Sequence, residues 1–191
     1  PGSTDRYLTS YGVQEALDIT NPTTVEIRDE KLAIIKAGMN SSKKIKIQYA
    51  AKHAQTSNYW KYFIGQSKGL KRMRVYDKKV EIENEFTDWV NSGDEERYEK
   101  FGNTLNLIEE AYKQNRKLNI SRTYLNEAVF RGSEIMYFAF KMNRAIAQLP
   151  TDKKEKIVAI RALRKEANDY YKDYNSSVDQ ELFGAMLELY Y

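Results

Sequence analysis

The feature that most constrains this 191-residue chain is where its prolines are absent. Prolines stand at positions 1, 22 and 150 only, so residues 23–149 lack the residue that breaks helix interiors. The same stretch shows no alternating strand pattern and no Asn-Gly hairpin signal. It reads as helices joined by short loops.

Periodicity supports this and sets the expected boundaries. Asn21-Pro22-Thr23-Thr24 is a helix start, with Pro22 at the first helical position and Val25, Leu32, Ile35 and Met39 along one face. Ser41-Ser42 opens a second helix that runs toward Gly65 or Gly69, where a break is expected. A third covers about Leu70 to Val90, with Ile82, Phe86 and Trp89 as its stripe. Ser92-Gly93-Asp94-Glu95 is a turn with a capping-box pattern. After it Tyr98, Phe101, Leu105, Ile108 and Tyr112 follow helical spacing.

The strongest pattern follows Asn119-Ile120-Ser121. It keeps Leu125, Val129, Gly132, Met136, Ala139, Asn143 and Ile146 on one line, a helix about 40 Å long. Leu149-Pro150-Thr151 ends that helix and starts another, with Ile160, Leu163, Ala167, Tyr170 and Tyr174 inward. Ser176-Ser177-Val178-Asp179-Gln180 caps a last helix that reaches Tyr191. The expected fold class is all-α: a multi-helix bundle of long, mostly antiparallel helices, with residues 1–191 as a single domain.

Bulk composition narrows the partners. Apolar residues make up 41% and charged residues 30% of the chain. No apolar run approaches the roughly 18 residues of a membrane span, and Ile135–Phe140 is the longest, so no membrane is expected. The opening Pro1-Gly2-Ser3-Thr4-Asp5 has neither the basic nor the apolar region of a signal peptide, and no initiator Met. Together with a helix still running at Tyr191, this leads us to expect a piece of a longer polypeptide. There is no cysteine, which removes disulfides, thiolate zinc sites and cysteine nucleophiles. A net charge of +4 leaves room for a nucleic-acid binder, although a stronger and more clustered excess is expected of one.

A search for chemistry leaves little. His53 is the only histidine, and Ser57 lies one turn later on the same helix. The pair has no orienting acid and no oxyanion hole. Glu26, Asp29 and Glu30, and Glu81, Glu83 and Glu85, read as solvated helix faces, since no Glu-x-x-His partner motif accompanies them. No phosphate-binding or dinucleotide glycine motif occurs. Catalytic residues, metal ligands and cofactors are therefore all expected to be absent. The basic Lys68, Lys71, Arg72, Arg74, Lys78 and Lys79 follow the aromatic Tyr59, Trp60, Tyr62 and Phe63. Such an arrangement can hold single-stranded nucleic acid, can sit on anionic lipid, or can be core aromatics beside solvated cations.

Asn58 stands out. Its neighbours on a helical face are Ala51, Ala54, Tyr62 and Gly65, three of them small. The amide can bond another helix, or it can point into ligand space. There its oxygen can accept from an ammonium and its NH2 can donate to a carbonyl.

At these residues a resemblance enters. Pro1 to Tyr11 is similar to the segment that leaves the first catalytic region in the bacterial dipeptidyl-peptidase 7/11 family. Ser57-Asn58-Tyr59-Trp60-Lys61-Tyr62-Phe63-Ile64-Gly65 resembles that family's helical-domain signature, extended by Gly69-Leu70-Lys71-Arg72 and Val75-Tyr76-Asp77-Lys78-Lys79. The similarity runs along the whole chain and is sharpest before residue 80.

The resemblance implies an inserted helical domain of a larger chymotrypsin-like serine exopeptidase, one that removes dipeptides from free peptide N-termini. It implies that the catalytic His, Asp and Ser lie in β-barrel parts before and after this domain. The partners would be a peptide with a free N-terminus and the catalytic barrel of the same polypeptide, in a periplasmic or secreted location; a homodimeric parent stays open. It gives Asn58 a substrate-binding role toward the α-amino group, with Trp60 supporting it by packing. It also implies an apolar surface where the domain meets the barrel. The rival expectations are a stand-alone helical protein-interaction module and a basic nucleic-acid-binding helical domain.

Overall fold

In a computed structural model, which describes residues 8–190, the chain is all-α, with no strand among the described residues. The elements are α1 (Ser10–Glu15), a π-helical turn (Ala16–Thr20), α2 (Asn21–Ser41), α3 (Lys43–Arg72), α4 (Val75–Asn91), α5 (Glu95–Phe101) and α6 (Thr104–Tyr124). A second π turn (Leu125–Phe130), α7 (Glu134–Ala147), α8 (Lys153–Asp173) and α9 (Ser176–Tyr190) complete them. Of the opening segment quoted for the resemblance, residues 1–7 lie outside the described residues.

Several boundaries correct the expectations. The first helix does not begin at Asn21. It begins at Ser10, capped by Thr9, and runs without interruption to Ser41. Pro22 sits inside it because the preceding turn is wide: the Asn21 N–H bonds the Ala16 carbonyl, five residues back. Proline cannot donate to the carbonyl four residues before it and crowds it sterically, and a π turn relieves that crowding. Gly65 and Gly69 do not break α3 either. A glycine costs a helix about 1 kcal/mol without forbidding it. The break comes at Arg74, whose left-handed backbone (φ 51°) separates α3 from α4.

The long helix expected from Leu125 to Ile146 is split. Its first half continues α6 into the second π turn, where the Arg131 N–H bonds the Asn126 carbonyl. The chain then turns at Arg131–Ser133 before α7. Gly132 is required there by close approach: a Cβ on it would lie 1.8 Å from the Ala128 carbonyl oxygen. The stripes Ile82/Trp89 and Leu125/Met136/Ile146 are largely exposed rather than inward. The inward line of α4 is Val80, Glu83, Phe86 and Val90 instead.

Two compact units share the chain. One combines the described part of Pro1–Val25 with Lys61–Thr123; the other combines Glu26–Trp60 with Tyr124–Tyr191. In the first, Val13, Ile19 and Val90 are buried. Glu83 reaches from α4 to the start of α1, accepting from the Ser10 N–H (2.7 Å) and from its hydroxyl (2.5 Å). Asn21 donates to Gln66 and Ser67 on α3, both at 3.0 Å. Trp89 packs against Phe86 and Phe101 and carries the Arg97 guanidinium 4.5 Å above its ring.

In the second unit one cluster joins Ile35, Tyr49, Val178 and Leu182, and another joins Ile27, Ala128 and Met186. Burying each of the Ile, Val, Leu and Met side chains among them contributes about 1.5–3 kcal/mol. The expected inward line of α8, Ile160 to Tyr174, is half-buried throughout. Asp152 caps α8 by accepting from the Lys154 and Glu155 N–H groups, two residues past Pro150.

Candidate functional site

The second unit contains a cleft of about 1050 Å³, lined by residues of α2, α3, the second π turn, α7 and α8. Helical registers bring charged groups to its wall. On α2, Arg28 and Lys31 share the face that carries buried Thr24 and Ile35. Opposite them the π turn places Glu127 inward. Arg28 and Glu127 form an ion pair at 2.7 Å, each side chain only 9% exposed, and Arg131 adds a second bond to Glu127 at 2.9 Å. The Tyr59 ring lies beside the Arg28 guanidinium at 5.3 Å.

Beneath this wall Lys52 pairs with Glu134 at 2.6 Å and donates to the Asp173 carbonyl. Asp179, from the first turn of α9, accepts from the Ser133 hydroxyl and from the Glu134 and Ile135 N–H groups (3.1, 2.6 and 2.9 Å). It thereby caps α7, which has no side-chain cap of its own. Phe138 and Tyr170 stack at 4.0 Å on the far wall. Burial, with Asp179 and Glu134 nearby, pushes the Tyr170 phenol well above its usual range. Burial also pulls the Lys31 ammonium down to about 8, against the opposing pull of Glu134.

Asn58 is exposed on α3 and does not line this cleft. Ala54 and Ala51, one and two turns before it, are exposed as well, so the small-residue line faces outward rather than into a helix–helix seam of this unit. The later members of that line, Tyr62 and Gly65, are also exposed, and nothing lies within 4 Å of where a Gly65 Cβ would be. Trp60 is half-buried, its indole nitrogen buried without a hydrogen-bond partner. His53 and Ser57 are half-buried on α3 and make no hydrogen bond to each other.

Glu26, Asp29 and Glu30 are exposed, as expected of solvated carboxylates. Glu83 departs from that expectation, because it caps α1. Lys68, Lys71, Arg72, Arg74 and Lys78 are exposed, with Arg74 paired to Asp77 at 2.7 Å. Tyr59 and Tyr62 beside them are exposed rather than core. No group of three or more potential metal-ligating His, Asp or Glu residues occurs among the described residues, and no helix is long and apolar enough to cross a membrane.

The cleft residues escaped the sequence reading. One signal was available for one of them: Glu127 sits between Leu125 and Ala128-Val129, whereas Arg28 stands in a charged run of Glu26, Asp29, Glu30 and Lys31 and shows nothing unusual. Inward charges of opposite sign call for each other.

Comparison with known proteins agrees with the fold. Dipeptidyl-peptidase 7 of Porphyromonas gingivalis is 39% identical over 189 residues, covering 99% of this chain and 25% of that protein. The Asp/Glu-specific dipeptidyl-peptidase of Flavobacterium psychrophilum is 32% identical over 197 residues, covering 100% of this chain and 26% of its own. The crystal structure of DPP11 of Porphyromonas endodontalis in complex with the dipeptide Arg-Glu matches with a TM-score of 0.72 at 25% identity, over 100% of this chain and 27% of that one. The chain thus spans about a quarter of the length of these relatives. The Peptidase S46 profile matches residues 1–191 throughout, and the chain belongs to that family.

Proposed function

We propose that this chain is the helical cap of a serine-type dipeptidyl-peptidase, which closes the active-site cleft and helps hold the substrate's free N-terminus. The reaction of the parent is hydrolysis of the second peptide bond by a Ser-His-Asp triad outside residues 1–191. In this reading the parent works in the periplasm or outside the cell.

The observation that carries the reading is Asn58. Its amide is exposed on α3, beside the exposed Ala54 and Ala51. Small neighbours let a second body come close to the helix backbone, and a neutral amide oxygen can accept from an ammonium without a charge of its own to desolvate. Exposed apolar residues on α7, among them Met136, Tyr137 and Phe140, support a face that meets another body. Restriction to free N-termini follows if a blocked peptide leaves the amide without its partner, a mismatch of about 1–3 kcal/mol.

The test is Asn58→Ala in the full-length parent. The expected result is a fall in kcat/KM of roughly 5- to 150-fold on peptides with a free N-terminus, with an unchanged thermal midpoint. Wild-type kinetics in that variant refute the role.

A further inference from the structure

We propose that the cleft of the second unit is a binding site for a peptide carboxylate, with Lys31 as its counter-charge and the stacked Phe138–Tyr170 pair as its aromatic wall.

The argument starts from the charges that line the cleft. Its four carboxylates each have a cation. Glu127 is held by Arg28 and Arg131, and Glu134 by Lys52. Glu166 is held by Lys141, and Asp169 by Lys172. Of the four lining cations, Arg28, Arg131 and Lys141 are used in those pairs. Lys31 is the remainder: among the described residues it has no carboxylate at ion-pair distance. Its ammonium donates only to the Arg131 carbonyl, which leaves further N–H groups without an acceptor.

A second donor in the same wall is also unmet. The Tyr170 hydroxyl is buried and has no hydrogen-bond partner. A buried hydroxyl without a partner costs about 1–3 kcal/mol; the Lys31 ammonium is half-buried with a single bond, and Glu134 Oε1, also unpartnered, lies in the same wall. A ligand that satisfies both donors must bring acceptors. A carboxylate brings two oxygens and a negative charge, which the leftover cation balances. The aromatic lining, with Tyr59 and Tyr137 beside Phe138 and Tyr170, suits the apolar part of a peptide next to that carboxylate. The wide π turn that carries Glu127 into the wall is the kind of helix irregularity that recurs at functional sites.

The charge on Lys31 depends on its surroundings. Glu134 on α7, Glu127 on the π turn and Asp179 on α9 favour the ammonium, while burial and Arg28 on α2 oppose it. Affinity for a carboxylate therefore falls as the pH rises through about 8.

The test uses the 191-residue chain and three probes with blocked N-termini, so that it does not depend on the role given to Asn58. They are N-acetylphenylalanine, its amide, and N-acetyl-Phe-Glu-amide, followed by NMR titration. The expected result is shifts at Lys31, Phe138 and Tyr170 with a carboxylate probe, and at least tenfold weaker binding of N-acetylphenylalanine amide. Tighter binding of N-acetylphenylalanine identifies a peptide C-terminus as the ligand; tighter binding of the Glu probe identifies an acidic side chain. Lys31→Met should weaken the preferred probe at least tenfold, while Lys31→Arg restores it and Tyr170→Phe weakens it a few-fold. Equal affinity for acid and amide, no binding of either carboxylate, or wild-type affinity in Lys31→Met overturns the proposal.

Discussion

At the scale of single residues, the molecule depends on charges placed where apolar side chains would be simpler. Arg28 and Glu127 are both 9% exposed at the side chain and touch at 2.7 Å. Taking two ions out of water costs several kcal/mol each, repaid only while both are present and well hydrogen-bonded. Here Arg131 adds the further bond to Glu127. Removing one partner leaves the other buried without its counter-charge. Glu127→Gln is therefore expected to cost about 3–5 kcal/mol, read as a lower urea midpoint with an unchanged slope. A loss below about 1 kcal/mol would mean that water already reaches the pair. Such residues are hard to see in a sequence, because a charge inside an apolar arc is visible while its partner, about a hundred positions away, is not.

At the scale of elements, the positions of the helices were legible and their ends were not. The proline-free stretch and the helical spacing place helices over most of 10–190, but the cap of α5 is Asp94 rather than the Ser92 of the capping-box pattern, and Asp152 caps α8 just past the Pro150 boundary. Pro22 misled, because a single π turn lets a proline sit inside a helix. Gly65 and Gly69 misled because glycine lowers helix stability without ending the helix, whereas Gly132 marks a real turn through its 1.8 Å approach to the Ala128 carbonyl. Other ends depend on distant side chains. Glu83 caps α1 from 73 positions away, and Asp179 caps α7 from 45 positions away. No local motif encodes a cap of that kind. Asp179 is 1% exposed and accepts three bonds, two of them from the first N–H groups of α7, where the helix dipole favours a negative charge. Asp179→Ala should destabilise the protein by about 2–4 kcal/mol, seen as a fall in thermal midpoint. Amide exchange at Glu134 and Ile135 should rise by more than the global change requires, because their acceptor is gone. Unchanged protection of those two amides would show that Ser133 takes over as the cap.

At the scale of the whole molecule, membership of the S46 family is carried by a chain that spans about a quarter of its relatives' length. The stretch Ser57–Gly65 carried the resemblance, and it did so through residues whose exposure could not be read from spacing alone: Asn58 faces outward, while Trp60 is half-buried. Acyl transfer by a serine needs a base within hydrogen-bond reach and that base needs an orienting acid. The only histidine, His53, shares a helix with Ser57 but makes no bond to it. Since the chain spans about a quarter of its relatives, the division of labour proposed above puts substrate holding here and bond breaking elsewhere. This gives a simple expectation. The purified 191-residue chain, incubated with a hexapeptide bearing a free N-terminus, should release no dipeptide above the buffer control when followed by mass spectrometry. His53→Ala should leave that result unchanged. Dipeptide release by the wild-type chain that disappears in His53→Ala would place the chemistry on α3 and remove the reason for treating the chain as a cap.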